Sequence, residues 1–406
     1  MRSSSPADAA ADPVFNPHLR LTPVLRDGAL VALRVAAPAR GQPLRRSVVS
    51  PDDDPTSFAI LARIAAREDG VDAELTPTEW ARLVDLGVLV PPDALARAVR
   101  FRCSPFGPPG ELVPRRWSPA AAPPRERLRV NGTLRYADDA GALAGWEGAP
   151  FAEGPAWARV DHAGSPLPSF YSLDGASGSL VQRLSPGSEP PPDLTPHDLE
   201  ALTVAGILVD PAEAARGEAT WGGRRAEAAA RLARDRWTVV GGLVHAIQLA
   251  ALRRYYRALV DEGHVGLGDR QVDLRYTAHD EPLARVIHRQ LEAFVSDLAG
   301  EPFQPSYVYF SSYRPGATLA PHTDRPQCEL SISLLLDYTP EPDDVSPWPL
   351  YLGAPGSAVP VSLGLGDGLV YRGRELTHFR KALPPGHTST SLFLHYVPAS
   401  FTGQRW

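Results

Sequence analysis

Two imidazoles and one carboxylate hold the chemistry that this sequence displays most plainly. His322 and Asp324 stand two residues apart in Ala320-Pro321-His322-Thr323-Asp324-Arg325, and His378 follows 54 residues after Asp324 (378 − 324). Two neutral imidazoles and a carboxylate can occupy one face of an octahedral ferrous ion and leave three positions open. The spacing has a mechanical basis, because side chains two apart in extended backbone point to the same side. His378 must then come from a strand that returns to the same mouth. Other histidines read as structural: His395 as core within Leu394-His395-Tyr396, His245 and His288 as packing or surface positions in helical patterns, His387 as a loop residue after Pro384-Pro385-Gly386.

The flanking sequence supplies elements able to position such a set. Tyr307-Val308-Tyr309-Phe310 has strand composition, and Arg314-Pro315-Gly316 has the chemistry of a turn. Glu329 to Tyr338 is a second β-rich run with Leu330, Ile332, Leu334 and Leu336 on one face. Gly366-Asp367-Gly368 is a tight turn feeding Leu369-Val370-Tyr371, and Ser391 to Val397 predicts a closing strand. That succession of strands, turns and ligands is the order of a double-stranded β-helix, a jelly-roll barrel with an open mouth. Two supporting helices, Leu243 to Glu262 and Glu281 to Leu298, are expected on its outer face, the second through Leu283, Ile287, Leu291 and Phe294.

From Trp237 to Trp406 the chain resembles the Fe(II)/2-oxoglutarate-dependent oxygenases. The likeness rests on Tyr-x-x-Gly-x-x-Leu-x-x-His-x-Asp-Arg at Tyr313 to Arg325 and Gly-Arg-Glu-Leu-x-His-x-Arg at Gly373 to Arg380. It implies that His322, Asp324 and His378 hold Fe(2+), with 2-oxoglutarate and O2 as cosubstrates. It further implies a hydroxylase, since halogenating members replace the carboxylate with a small residue; the duplicated first half of the chain is expected to recruit its peptide, protein or amino-acid-derived substrate. One departure stands out. Many members carry Arg or Lys about ten residues after the distal His to grip the far carboxylate of 2-oxoglutarate, whereas this chain has Thr388, Ser389, Thr390 and Ser391. Arg380, two residues past His378, is the expected replacement, because a guanidinium can hold a carboxylate bidentately. Tyr309 and Ser391 are expected to add hydrogen bonds, with Arg325, Arg372 and Arg374 as competing cations. The alternative is a non-catalytic metal-binding barrel serving as a binding or adaptor protein.

Composition bounds the remaining classes. A chain of 406 residues exceeds one ordinary core, and 43% hydrophobic with 22% charged residues is globular. A net charge of −6 with dispersed basic residues gives no footprint for nucleic acid or an anionic membrane surface. No apolar run reaches the roughly 18 residues of a spanning helix, and no apolar segment follows Met1-Arg2-Ser3 as in a secretory signal. Cys103 and Cys328 lie far apart without metal spacing, so two free thiols in a reducing cytoplasm are expected. The 43 prolines and heavy Ala and Arg usage fit a GC-rich bacterial genome.

The first half carries an internal duplication. Leu75-Thr76-Pro77 to Val90 matches Leu194-Thr195-Pro196 to Val209 at an offset of 119 (194 − 75), and Leu33-Arg34-Val35 matches Ala158-Arg159-Val160. In each block a Thr N-cap and Pro start a helix, Gly87 or Gly206 ends it, and a short apolar strand follows. With a helix at Ser57–Arg67, the element order is winged-helix-like and distantly resembles the leader-peptide-binding domains attached to enzymes that modify ribosomal peptides. The expected fold is α+β and multidomain. A tail at 1–27 precedes a repeat at 28–102, a Pro/Ala/Arg-rich linker at 103–150, a second repeat at 151–215 and the oxygenase-like domain at 216–406.

Overall fold

The computed structural model describes residues 14–16, 19–26, 29–37, 45–65, 75–90, 99–106, 112–118, 121–136, 157–173 and 175–403. They gather into two compact units, residues 1–99 with 257–266, and residues 100–256 with 267–406.

In the first unit, β1 (Val14–Phe15) pairs with β5 (Leu89–Val90). β2 (Arg20–Arg26), β3 (Ala29–Ala37) and β4 (Arg45–Val49) form an antiparallel sheet in that order. α1 (Pro55–Ala65) and α2 (Pro77–Asp85) complete a core of Leu33, Val35, Val49, Ile60, Leu61, Leu83, Val88 and Leu89. Thr76 and Glu79 cap α2 reciprocally, Pro77 opens it, and Gly87 at φ 72° turns the chain out. Residues 14–15 and 20–26 are thus strands rather than part of a tail. They satisfy backbone groups that β5 and β3 would otherwise leave unpaired.

The second unit contains the same order of elements: β6 (Arg129–Val130), β7 (Arg135–Tyr136), β8 (Trp157–Val160), β9 (Ser169–Ser172), α3 (Gly175–Val181), α4 (Pro196–Val204) and β10 (Leu208–Val209). β6 pairs with β10, and Thr195 with Asp198 repeats the capping box. Asn131 donates its N–H to Ile207 O (2.8 Å) and Nδ2 to Gly206 O (2.9 Å). Asn16 does the same to Val88 O (2.8 Å) and Gly87 O (3.2 Å). The elements that follow the first unit's order thus start at Arg129.

The stretch 103–150 is not a linker where it is described. Arg116 grips Asp367 at 2.6 Å and donates to Leu365 O, while the Arg115 N–H reaches Glu341 at 2.6 Å. Arg253, 1% exposed, pairs with Asp337 and Glu341 and donates to Leu112 O. Buried charges on the barrel thus recruit this segment as their partner. Residues 107–111, 119–120 and 137–150 of it lie outside the described residues.

After α5 (Pro211–Asp235) come β11 (Trp237–Val240), α6 (Ala246–Asp261), β12 (Gly266–Leu267), β13 (Arg275–His279), α7 (Pro282–Gln290) and α8 (Glu292–Ala299). The helix expected over 281–298 breaks at Leu291, which lets both halves pack on the same long strand, β14 (Phe303–Tyr313). Then follow β15 (Leu319–His322), β16 (Leu330–Thr339), β17 (Leu350–Leu352), β18 (Val359–Val361), β19 (Gly368–Tyr371), β20 (His378–Arg380) and β21 (Thr388–Pro398). They form a seven-stranded sheet, β11-β19-β16-β21-β14-β13-β12, and a four-stranded sheet, β15-β20-β17-β18. Tyr371 against His378 (5.1 Å between centroids) and Tyr313 against Trp348 (5.0 Å) join their inner faces, an arrangement consistent with a jelly roll. On β16 the alternation places Leu330, Ile332 and Leu334 on the opposite face from Ser331 and Ser333, and a register shift between Leu335 and Asp337 interrupts it at Leu336. Among the described residues no helix is long and apolar enough to cross a membrane.

Candidate metal centre

β15 and β20 are antiparallel neighbours, with His322 directly opposite His378 and ring centroids 4.3 Å apart. The strand ends at His322, so the pair His322–Asp324 is not wholly in a strand as expected. Asp324 sits just beyond, held by its N–H to Gly373 O at 2.9 Å. Asp324 Oδ1 lies 3.8 Å from His322 Nε2 and 3.6 Å from His378 Nε2. The Nδ1 atoms face Ala320 O (2.9 Å) and Leu376 O (3.0 Å). A carbonyl only accepts, so Nδ1 carries the proton and each Nε2 turns a lone pair toward Asp324. Burial holds His378 below the ordinary imidazole range and keeps it neutral. Side-chain exposure falls from 27% at His322 to 13% at Asp324 and 3% at His378, so access is from the His322 side. Three convergent N/O donors with tautomers set from behind fit a divalent first-row metal.

Gly373 explains why the second motif begins with glycine. A Cβ there would overlap Asp324 Oδ2 and fall 2.9 Å from its Cγ. Gly373→Ala is therefore expected to push the carboxylate out of the donor set and weaken Co(II) binding at least about tenfold, the range for misplaced ligand support. Titration calorimetry would measure it, and an unchanged affinity would count against this placement.

The remaining expected site residues are distributed unevenly. Arg380 lies on β20 and is 5% exposed, its guanidinium 4.3 Å from the Trp348 ring centroid and donating to Trp348 O at 2.8 Å. Among the described residues no carboxylate pairs with it, and burial lowers its pKa. Its Nε and the hydroxyls of Ser311, Ser333, Ser389 and Ser391 are buried without hydrogen-bond partners. Register places Ser311 beside Ser391 and Tyr313 beside Ser389, and Tyr313 leads through Trp348 to Arg380. Tyr309 is otherwise engaged: its hydroxyl donates to Asp269 at 2.7 Å. Asp269, although burial works to raise it, is held down to about 2 by hydrogen bonds from Arg275 and Tyr309. Arg325 stacks over Tyr307 at 5.4 Å, and Arg372 and Arg374 face Glu329. Of the four candidate cations, Arg380 is the one facing the two-sheet interior without an acidic partner.

In the sequence Ser331 carries no visible role, Gly373 and Tyr371 read only as motif and strand residues, and His395 reads as core. The signal available was the Ser-x-Ser alternation of β16, which is polar on a strand buried on both faces. Among the described residues a second cluster, Asp324, Cys328 and His395, borders the first. Burial pushes the Cys328 thiol up to about 12, and Tyr307 Oη lies 3.2 Å from its Sγ.

No protein-family model matches the chain, and no curated protein matches it in sequence. Its structural neighbours are Fe(II)/2-oxoglutarate oxygenases. The non-heme alpha-ketoglutarate-dependent epimerase SnoN from nogalamycin biosynthesis is 19% identical, over 44% of this chain and 84% of that one, with a TM-score of 0.37. A Pseudomonas putida prolyl-4-hydroxylase is 20% identical, over 43% and 100%, at 0.35. HygX from Streptomyces hygroscopicus, with nickel, 2-oxoglutarate and hygromycin B bound, is 14% identical, over 44% and 89%, at 0.35. SnoN is also known with Fe3+ and alpha-ketoglutarate bound.

Proposed function

We propose that this chain is a non-haem Fe(II)- and 2-oxoglutarate-dependent oxygenase, a hydroxylase of a peptide, protein or amino-acid-derived substrate. The observation that carries the reading is the pairing of two features in one interior. One is the donor set of His322, Asp324 and His378, with both Nε2 lone pairs converging on Asp324. The other is Arg380, a buried guanidinium with no carboxylate of its own. Bound ferrous iron supplies the redox chemistry by which O2 is consumed while 2-oxoglutarate becomes succinate and CO2. The protein's part is to bind and orient. His322, Asp324 and His378 present one face of ligands, Arg380 holds the far carboxylate of the 2-oxo acid, and Ser389 and Ser391 donate to it. Trp348 and Tyr313 wall this end from water.

The test is release of succinate from 2-oxoglutarate under Fe(II) and O2, assayed with and without a chelator. Metal-dependent succinate is the expected result. Stoichiometric iron binding with no succinate, even with candidate substrates present, would favour the adaptor reading instead.

The two blocks at 14–90 and 129–209 we take as copies of one winged-helix-like module, the first of which recruits substrate. Its β4 is a sheet edge with Val48 65% exposed, and an unpaired edge can add an extended peptide as a further strand. Val48→Asp is expected to raise KM for a peptide substrate while leaving kcat unchanged. Identical KM in variant and wild type would sink the recruitment role.

A further inference from the structure

We propose that Ser331 and His395 form a positioning relay for the Asp324 carboxylate; this rests on the metal-site reading above. The two oxygens of Asp324 have different surroundings. Oδ1 faces His322 and His378, whereas Oδ2 lies 3.3 Å from Ser331 Oγ. Ser331 Oγ in turn lies 2.8 Å from His395 Nδ1. An ionised carboxylate only accepts, so the Ser331 hydroxyl proton points to Oδ2. The Ser331 oxygen then accepts from Nδ1–H of His395, which fixes that tautomer.

Sheet register builds this line. On three adjacent strands, Tyr371, Ser331 and His395 stand directly opposite one another. Tyr371 packs edge-on against the His378 ring at 5.1 Å, and Tyr307 flanks His395 with centroids 4.6 Å apart. Ser331 is fully buried and His395 is 6% exposed, so neither side chain has water as an alternative partner. Unlike the buried hydroxyls of Ser311, Ser333, Ser389 and Ser391, which have no hydrogen-bond partner, Ser331 is held on both sides, and a satisfied polar row of this kind fixes one arrangement. Holding Oδ2 leaves Oδ1 aimed between the two imidazoles and makes the carboxylate a single-oxygen donor. The third donor is thereby prevented from chelating through both oxygens, and a coordination position stays open.

The experiment measures binding of Co(II) alone to the full chain by calorimetry, together with the visible spectrum of the bound ion. Ser331→Ala and His395→Leu are each expected to weaken Co(II) about 10- to 100-fold, the usual effect of losing such a partner. Combined, they are expected to cost little more than either alone, because they interrupt one chain of hydrogen bonds. His395→Asn keeps a donor at the Nδ1 position and is expected to recover affinity to within about threefold of wild type. The single losses are also expected to change the Co(II) spectrum, which a purely structural role would leave alone. Affinity and spectrum of Ser331→Ala matching wild type, while His378→Ala weakens binding at least about a hundredfold, would overturn the relay and leave the metal site standing. Full affinity in His378→Ala would instead overturn the metal site itself.

Discussion

Replacing His378 by alanine is expected to weaken Co(II) or Mn(II) binding by roughly 10²- to 10³-fold and to eliminate succinate release. A four-ligand protein site holds zinc with about 10–16 kcal/mol, so one ligand carries about 3–4 kcal/mol, which corresponds to that fold-change. His378 is the ligand to choose, because it is 3% exposed and its Nδ1 is anchored to Leu376 O. Water has little room to take its place. His322→Ala, at the more exposed end, is expected to lose less affinity and be partly rescued by added imidazole. The fold is expected to persist in both, with unchanged circular dichroism, because the backbone pairing of β15 with β20 does not depend on either ring. Full affinity in His378→Ala would refute the donor set.

Arg380→Leu is expected to act in two opposite directions. It should raise the KM for 2-oxoglutarate by roughly two orders of magnitude, since breaking a buried charge pair costs about 2–5 kcal/mol. It should also raise the Tm of the ligand-free protein, because a guanidinium buried without a carboxylate partner is a standing penalty. About 1 kcal/mol of relief corresponds to roughly 1 °C in a chain of 406 residues. Arg380→Lys keeps the charge but loses the planar fork and the stacking on Trp348, so its KM should lie between the two. Calorimetric melting and initial-rate kinetics on the same preparations read both effects. A KM within a few-fold of wild type would move the anchor elsewhere.

Asp324 shows where sequence ends and structure begins. The motif pair states the donor types, and the strand pattern brings His322 opposite His378. That part was legible because ligand identity and period-two alternation are local properties. The capped helices α2 and α4, with Gly87 and Gly206 as their exits, were legible for the same reason. What holds Asp324 was not. Gly373, Ser331 and His395 lie 49, 7 and 71 residues away in sequence and meet it only because β19, β16 and β21 are neighbours. The segment 112–118 likewise looked like linker composition. Its place on the barrel depends on the buried charges Arg253 and Asp367, whose burial no local pattern records.

By itself, then, the sequence determined the strands that carry His322 and His378 and the capped helices α2 and α4, all of which follow from short-range spacing and propensity. Tertiary structure alone decided that Arg380 faces the interior without an acidic partner while Tyr309, Arg372 and Arg374 are committed elsewhere. Pairing and burial of a charge are set by whichever strands register beside it, and that is a property of the whole sheet.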